Sequence, residues 1–212
     1  MKQALLAIPL LAACSGPPDM QVVRDHGGHI RAEVARTGGR KEGPVRFFDA
    51  SGALRTTGSY VRDSRNGAWV TTDPAGDTLA IVTFRMGKKD GLQGYWSPSG
   101  QLLRLEQFHG GQPDGPLYRF FADGTPRQIT WYRRGVPDGP YLEWYKVDSN
   151  SVAITAGRFH AGERTGRWTW FYGNGRPQRQ GTYLQGEPTG EWRWWEANGS
   201  LASARHYPPP DR

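Results

Sequence analysis

Cysteine is nearly missing from this 212-residue chain: Cys14 is the only one. No intramolecular disulfide can form, and a thiolate zinc site is excluded. Long hydrophobic runs are missing as well. The apolar stretch from Ala4 to Ala13 is too short to cross a bilayer. Aliphatic residues are sparse in a chain only 36% hydrophobic, which argues against a helical core. Catalytic signatures are also lacking: there is no G-x-S-x-G elbow, no H-E-x-x-H pair and no phosphate-cradling loop leading into a helix. The five histidines are scattered, and many acidic residues fall in stretches such as "VPDG" and "QPDG", where Asp serves turn geometry. These absences speak against an enzyme and against a resident metal or cofactor.

What is abundant points elsewhere. Nine Trp, nine Tyr and eight Phe accompany 29 Gly, a mixture that suits short strands joined by tight turns. The formal charge of +7 favours acidic partners or anionic surfaces. At the N-terminus, Lys2 precedes the short apolar run, as in the core of a signal peptide. The run ends in Leu11-Ala12-Ala13-Cys14, which resembles the lipobox of bacterial lipoproteins. That resemblance implies cleavage before Cys14, lipidation of Cys14 and, with Ser15 next to it, transfer to the outer membrane. The expected layout is a signal peptide over 1–13, a lipidated N-terminus and polar tether over 14–28, a repeat domain over 29–207 and a proline-rich tail over 208–212.

The repeat is written in glycine. Gly43, Gly67, Gly91, Gly115, Gly139, Gly166 and Gly190 are spaced by 24 residues, with one interval of 27. Such a period marks a repeat architecture. Four residues before six of these anchors stands another glycine, the exception being Asp63, and nine residues after six of them stands a turn glycine. The segments between are five to six residues long and rich in Trp, Tyr, Phe, Val and Thr, so they read as strands. The predicted fold is all-β: an antiparallel meander of about seven 24-residue β-hairpins in an elongated twisted sheet, with Ile30 to Thr37 adding one strand in front. Runs such as "YLQGEPTGEWRWW" and "FHAGERTGRWTWF" resemble the MORN repeat (membrane occupation and recognition nexus), closest to the bacterial variant often described as an antitoxin. The resemblance implies a scaffold or a lipid- or protein-contacting surface. The second unit departs from it, with Thr71 and Thr72 where aromatics are usual.

Reading each G-x-x-x-G as a symmetric loop predicts which rings share a face. One column, seventeen residues after the anchors (twenty in the fifth unit, which carries a three-residue insertion), is Tyr60, Phe84, Phe108, Tyr132, Phe159, Tyr183 and Tyr207. A second, five residues after them, is Phe48, Trp96, Phe120, Trp144, Phe171 and Trp195, with Thr72 in the second unit. On this reading both columns form the structural core, and the second lies over the strand glycines Gly58, Gly157 and Gly181. Trp168, Trp170, Trp192 and Trp194 then face the other way and, with Arg193, form a candidate binding patch. Either the twisted sheet closes this second face on itself or on the tail, or the patch is a contact surface.

The function expected from these features is a non-enzymatic binding or scaffold lipoprotein, bound to the membrane by its N-terminal lipid and facing the periplasm. Its partner would be a protein, in an antitoxin-like arrangement as one form, or the anionic lipid or peptidoglycan beside it. The alternative is a carbohydrate module built on the C-terminal tryptophans. An exported protein has no call on nucleic acid.

Overall fold

A computed structural model describes residues 19–146 and 152–210. Cys14 and the signal-peptide stretch lie outside the described residues. The first four strands are β1 (Asp19–Arg24), β2 (Ile30–Thr37), β3 (Arg40–Phe48) and β4 (Leu54–Val61). They are followed by β5 (Ser64–Thr72), β6 (Thr78–Arg85), β7 (Lys88–Trp96) and β8 (Leu102–His109). Next come β9 (Gln112–Phe120), β10 (Pro126–Arg133), β11 (Val136–Lys146) and β12 (Val152–His160). The chain closes with β13 (Glu163–Phe171), β14 (Pro177–Leu184), β15 (Glu187–Trp195) and β16 (Leu201–Tyr207). All sixteen form one open antiparallel sheet in chain order, and the described residues contain no helix.

The seven hairpins from β3 to β16 are the seven 24-residue units, and β2 is the strand expected in front of them. β1 corrects the expected tether. Asp19–Arg24 pairs along the free edge of β2, from Asp19 opposite Arg36 to Arg24 opposite Ile30. The stretch Met20-Gln21-Val22-Val23 has the β-forming residues to extend a ladder, although its side chains are exposed.

Each unit begins at a two-residue turn. Arg62 and Asp63 have φ of 49° and 65°, and Val61 pairs with Ser64 across them. This is a type I′ turn, whose twist matches that of the strands it joins. Met86-Gly87, Arg134-Gly135, Ala161-Gly162 and Gln185-Gly186 repeat it. Consecutive turns are also stapled to one another: the Gly87 N–H donates to the Arg65 carbonyl at 2.8 Å, and that of Gly111 to the Lys89 carbonyl at 2.8 Å.

The anchor glycine lies just beyond the turn. It is not part of the loop; it opens a bulge. Thr57 pairs with Val70 and Ser59 with Asn66, so Gly67, Ala68 and Trp69 stand opposite Gly58 alone. Gly67 takes a φ of 73°, which an L side chain resists. The extra residues number two, so side chains keep alternating face by face through the bulge.

These turns overturn the predicted face assignment. A symmetric five-residue loop would centre each hairpin on Arg65 and its equivalents. The actual turn is centred between residues 62 and 63, and the change from odd to even swaps the face of every partner residue. Tyr60 pairs directly with Gly43, so it shares a face with Val45 and Phe47, while Phe48 points to the other side. The second predicted column, Phe48, Trp96, Phe120, Trp144, Phe171 and Trp195, is therefore half-buried on the opposite face from Tyr60, Phe84, Phe108, Tyr132, Phe159, Tyr183 and Tyr207.

Candidate functional site

The face that carries the Tyr60 column also carries Trp69, Trp168 and Trp192, two residues past their anchors. Trp168 is 0% exposed and Trp192 4%. The candidate patch is corrected on this point: half of it is packing. Trp170 and Trp194 lie on the same face and are half-buried. Arg193 alternates to the opposite side, where it pairs with Glu191 at 2.8 Å.

Three tryptophans repeat one arrangement. Trp69 lies over Gly58, Trp168 over Gly157 and Trp192 over Gly181, so closely that a Cβ on each glycine would fall 2.0–2.4 Å from an indole carbon. The glycine is thus a seat for a flat ring. Each indole N–H also reaches across the bulge to a backbone carbonyl: Trp69 to Ser59, Trp168 to Arg158 and Trp192 to Thr182, all at 3.2 Å. The ring covers the opening in the ladder, and its N–H is satisfied by a carbonyl at the edge of the bulge. Where position 82 is Val, the equivalent residue is Gln93, 0% exposed. Its amide accepts from the Thr83 N–H at 2.9 Å and donates to the Thr83 and Gly91 carbonyls. Trp with Gly, or Gln with Val, are two answers to one bulge.

Along this face the chemistry changes in three zones. Near the N-terminus, Ala32, Val34, Val45, Tyr60 and Trp69 make a small apolar core, with Phe47 and Phe84 against it. The middle is polar: buried Gln93 and Glu106 lie there, Arg104 stacks 4.0 Å above Tyr95, and the Glu143 carboxylate accepts from the hydroxyls of Tyr141 and Tyr145. Burial first, then the bond to Glu143, raises the Tyr141 phenol well above its ordinary pKa. The C-terminal zone is a chain of indoles. Centroids run Trp168 to Trp170 at 5.9 Å, to Trp192 at 5.9 Å and to Trp194 at 6.0 Å, each step tilted by 33–35°.

Because Trp192 lies flat on the sheet and Trp194 is tilted from it by only 33°, Trp194 turns one ring face outward. Trp194 borders an open cavity of about 470 Å³ with Ser203, Ala204, Arg205 and Tyr207. On its other side β14 brings Arg179 directly opposite both Trp170 and Trp194. The Arg179 guanidinium stacks 4.1 Å above Trp170, and its Nε is buried without a hydrogen-bond partner. Among the described residues, neither Arg179 nor Arg205 has an ion-pair partner. The sequence interleaves Arg179, with Arg167, Arg176 and Arg193, among the tryptophans; Arg205 was missed, and its signal was position, on the strand next to Trp194 and on the same face.

No group of three or more His, Cys, Asp or Glu is placed to hold a metal among the described residues. His109 and His160 stand at the exposed turn edge, 3.6 Å from Asp90 and 3.5 Å from Asp138.

The described residues thus form one open β-repeat sheet with a ring-bearing face. Residues 164–185 and 188–207 match the MORN repeat variant, so two consecutive units of this type are found where the indoles are densest. No curated protein matches the chain. MORN repeats suggest a binding or scaffold role, and this fold is typical of non-enzymatic modules.

Proposed function

We propose that the chain is a non-enzymatic binding or scaffold lipoprotein, held by a lipid on Cys14 at the periplasm-facing side of the outer membrane. The observation that carries this reading is the single-layer sheet: it leaves a long face of rings and guanidinium groups open instead of enclosing a reaction cleft. The position of β1 supports the address. Asp19 is already in the sheet, and five residues reach at most about 18 Å, so an acyl chain on Cys14 would hold the sheet close to the bilayer. Its partner is then a component of the envelope. A protein, including a toxin in the antitoxin-like arrangement the MORN resemblance suggests, is one class. Anionic lipid is another, and the wall glycan is the third. The unpaired arginines beside Trp194 favour the glycan.

The test of the address is fractionation of cells expressing the native chain and Cys14→Ser. The native protein should sediment with outer membrane and begin at an acylated Cys14. The variant should stay uncleaved or turn up soluble in the periplasm, because stable anchoring takes at least two acyl chains. A native mature protein that begins at another residue would sink the lipoprotein reading.

A further inference from the structure

Beside Trp194 we infer a binding site for a carboxylate-bearing pyranose, and we assign it to the amino-sugar strand of the cell wall; the assignment of source rests on the periplasmic address proposed above, the sugar chemistry does not. Four side chains converge there. Trp194 offers one flat, outward ring face, the surface on which the C–H face of a pyranose stacks. Arg179 lies directly opposite it on β14, about 4.8 Å away across the ladder, and Arg205, opposite Trp192 on β16, is its diagonal neighbour at about 7–8 Å. Ser203, directly opposite Trp194, offers a hydroxyl on the same face.

The arginines decide the class of sugar. Arg179 is held by Trp170 at 4.1 Å and Arg205 by Tyr207 at 4.8 Å, so each guanidinium is fixed by a ring and, among the described residues, pairs with no carboxylate. Elsewhere on this face Arg104 stacks on Tyr95 and pairs with Glu106 at 3.3 Å, although its Nε, like that of Arg179, is buried without a hydrogen-bond partner. Among the described residues, no carboxylate pairs with the two guanidinium groups beside this ring. A planar carboxylate is the natural complement of a guanidinium fork, and a neutral glucan would leave both unanswered. The shape agrees with a chain: the 470 Å³ cavity beside Trp194 is open rather than enclosed. Amino sugars carrying a lactyl or peptide carboxylate at every second residue combine these features.

The experiment uses the full chain purified in detergent and titrates it calorimetrically with two disaccharides. One contains N-acetylmuramic acid and N-acetylglucosamine; the other is the neutral dimer of N-acetylglucosamine. Native protein should prefer the acidic disaccharide by about tenfold or more, the usual worth of a charge-assisted pair. Arg179→Gln with Arg205→Gln should erase that preference without lowering the melting temperature. Trp194→Ser should weaken binding of both sugars. Purified sacculi should retain the native chain and release the double arginine variant. Binding of neither sugar by folded native protein would overturn the proposal, as would an acidic preference that survives loss of both arginines. Preference for a polyuronate over the muramyl sugar would overturn the wall assignment, and so would retention of a protein partner by Trp194→Ser together with failure on sacculi. A chain that fractionates as soluble yet binds the muramyl disaccharide would sink the membrane address alone.

Discussion

The indole of Trp192 lies flat on Gly181: a Cβ at position 181 would stand 2.0 Å from its Cδ2 and 2.1 Å from its Cε2. Gly181→Ala should therefore lift the ring and weaken its bond to Thr182, at a cost of about 1–3 kcal/mol, as overpacking usually brings. Pairing the change with Trp192→Leu should recover part of the loss, since Leu117 fills the same position opposite Glu106, which carries a side chain. Urea unfolding of the two single variants and the double gives the coupling. A value within the 0.5–3 kcal/mol range typical of contacting residues is expected; strict additivity would show that ring and glycine do not meet.

Trp192 and Trp195, three residues apart, should behave differently. Trp192→Ala empties a position only 4% exposed and removes the indole's bond to the Thr182 carbonyl, so about 3–5 kcal/mol should be lost. Trp195 is half-buried on the opposite face, next to the terminal strand, and its removal should cost less. Unfolding midpoints decide the order, and a larger loss for Trp195 would contradict the face assignment.

That order is the reverse of what the sequence suggests, and the reason is specific. The 24-residue glycine period revealed hairpins, their number and the antiparallel order, because glycine at fixed intervals has few physical uses besides turns and bulges. It did not reveal which of two adjacent glycines was which. "GEPTG" reads as one loop, whereas Gly186 ends a two-residue turn and Gly190 opens a bulge. Moving the turn centre changed odd to even and exchanged the faces. A better signal was present: Trp stands two residues after Gly67, Gly166 and Gly190, the units preceded by Gly58, Gly157 and Gly181. An indole that appears at this position only where its neighbour lacks a Cβ is lying on that neighbour. β1 was hidden because an edge strand needs no buried alternation.

Gln93 tests the polar solution to the bulge. Gln93→Leu would leave the Thr83 N–H and carbonyl without their side-chain partner, and about 1–3 kcal/mol should be lost. Gln93→Trp should also destabilise, because Val82 offers no flat seat. Adding Val82→Gly should rescue it by recreating the Trp69–Gly58 arrangement. Thermal melts of the three variants check this; a double variant no better than Gln93→Trp alone would refute it.

The polar middle predicts an alkaline limit. Burial and then the Glu143 carboxylate hold the Tyr141 phenol above its ordinary pKa. The folded state thus binds this proton more tightly than the unfolded chain. The associated stability is complete below about pH 10 and is lost as pH rises from there through the higher folded value. Absorbance titration should show a tyrosine ionising late, and Glu143→Gln should bring it part of the way back, burial supplying the rest. An unshifted late phase in the variant would remove Glu143 from the account.

The turn at Met86-Gly87 offers a stabilising change. Met86 has a φ of 46°, is 50% exposed, and makes a backbone bond from its N–H to Asn66 that does not depend on its side chain. A methionine in the left-handed region bears a steric cost that asparagine bears less, and Asn-Gly is the favoured pair for a type I′ turn. Met86→Asn should raise stability by up to about 1 kcal/mol, because it removes strain at a conformation the turn already holds. Met86→Val should lower it, since a β-branched side chain tolerates positive φ worst. The two substitutions touch no packed group, so their opposite signs in denaturant midpoints report the turn alone. If both lower the midpoint equally, the methionine side chain contributes contacts that its exposure does not suggest, and the turn geometry is not what limits this hairpin.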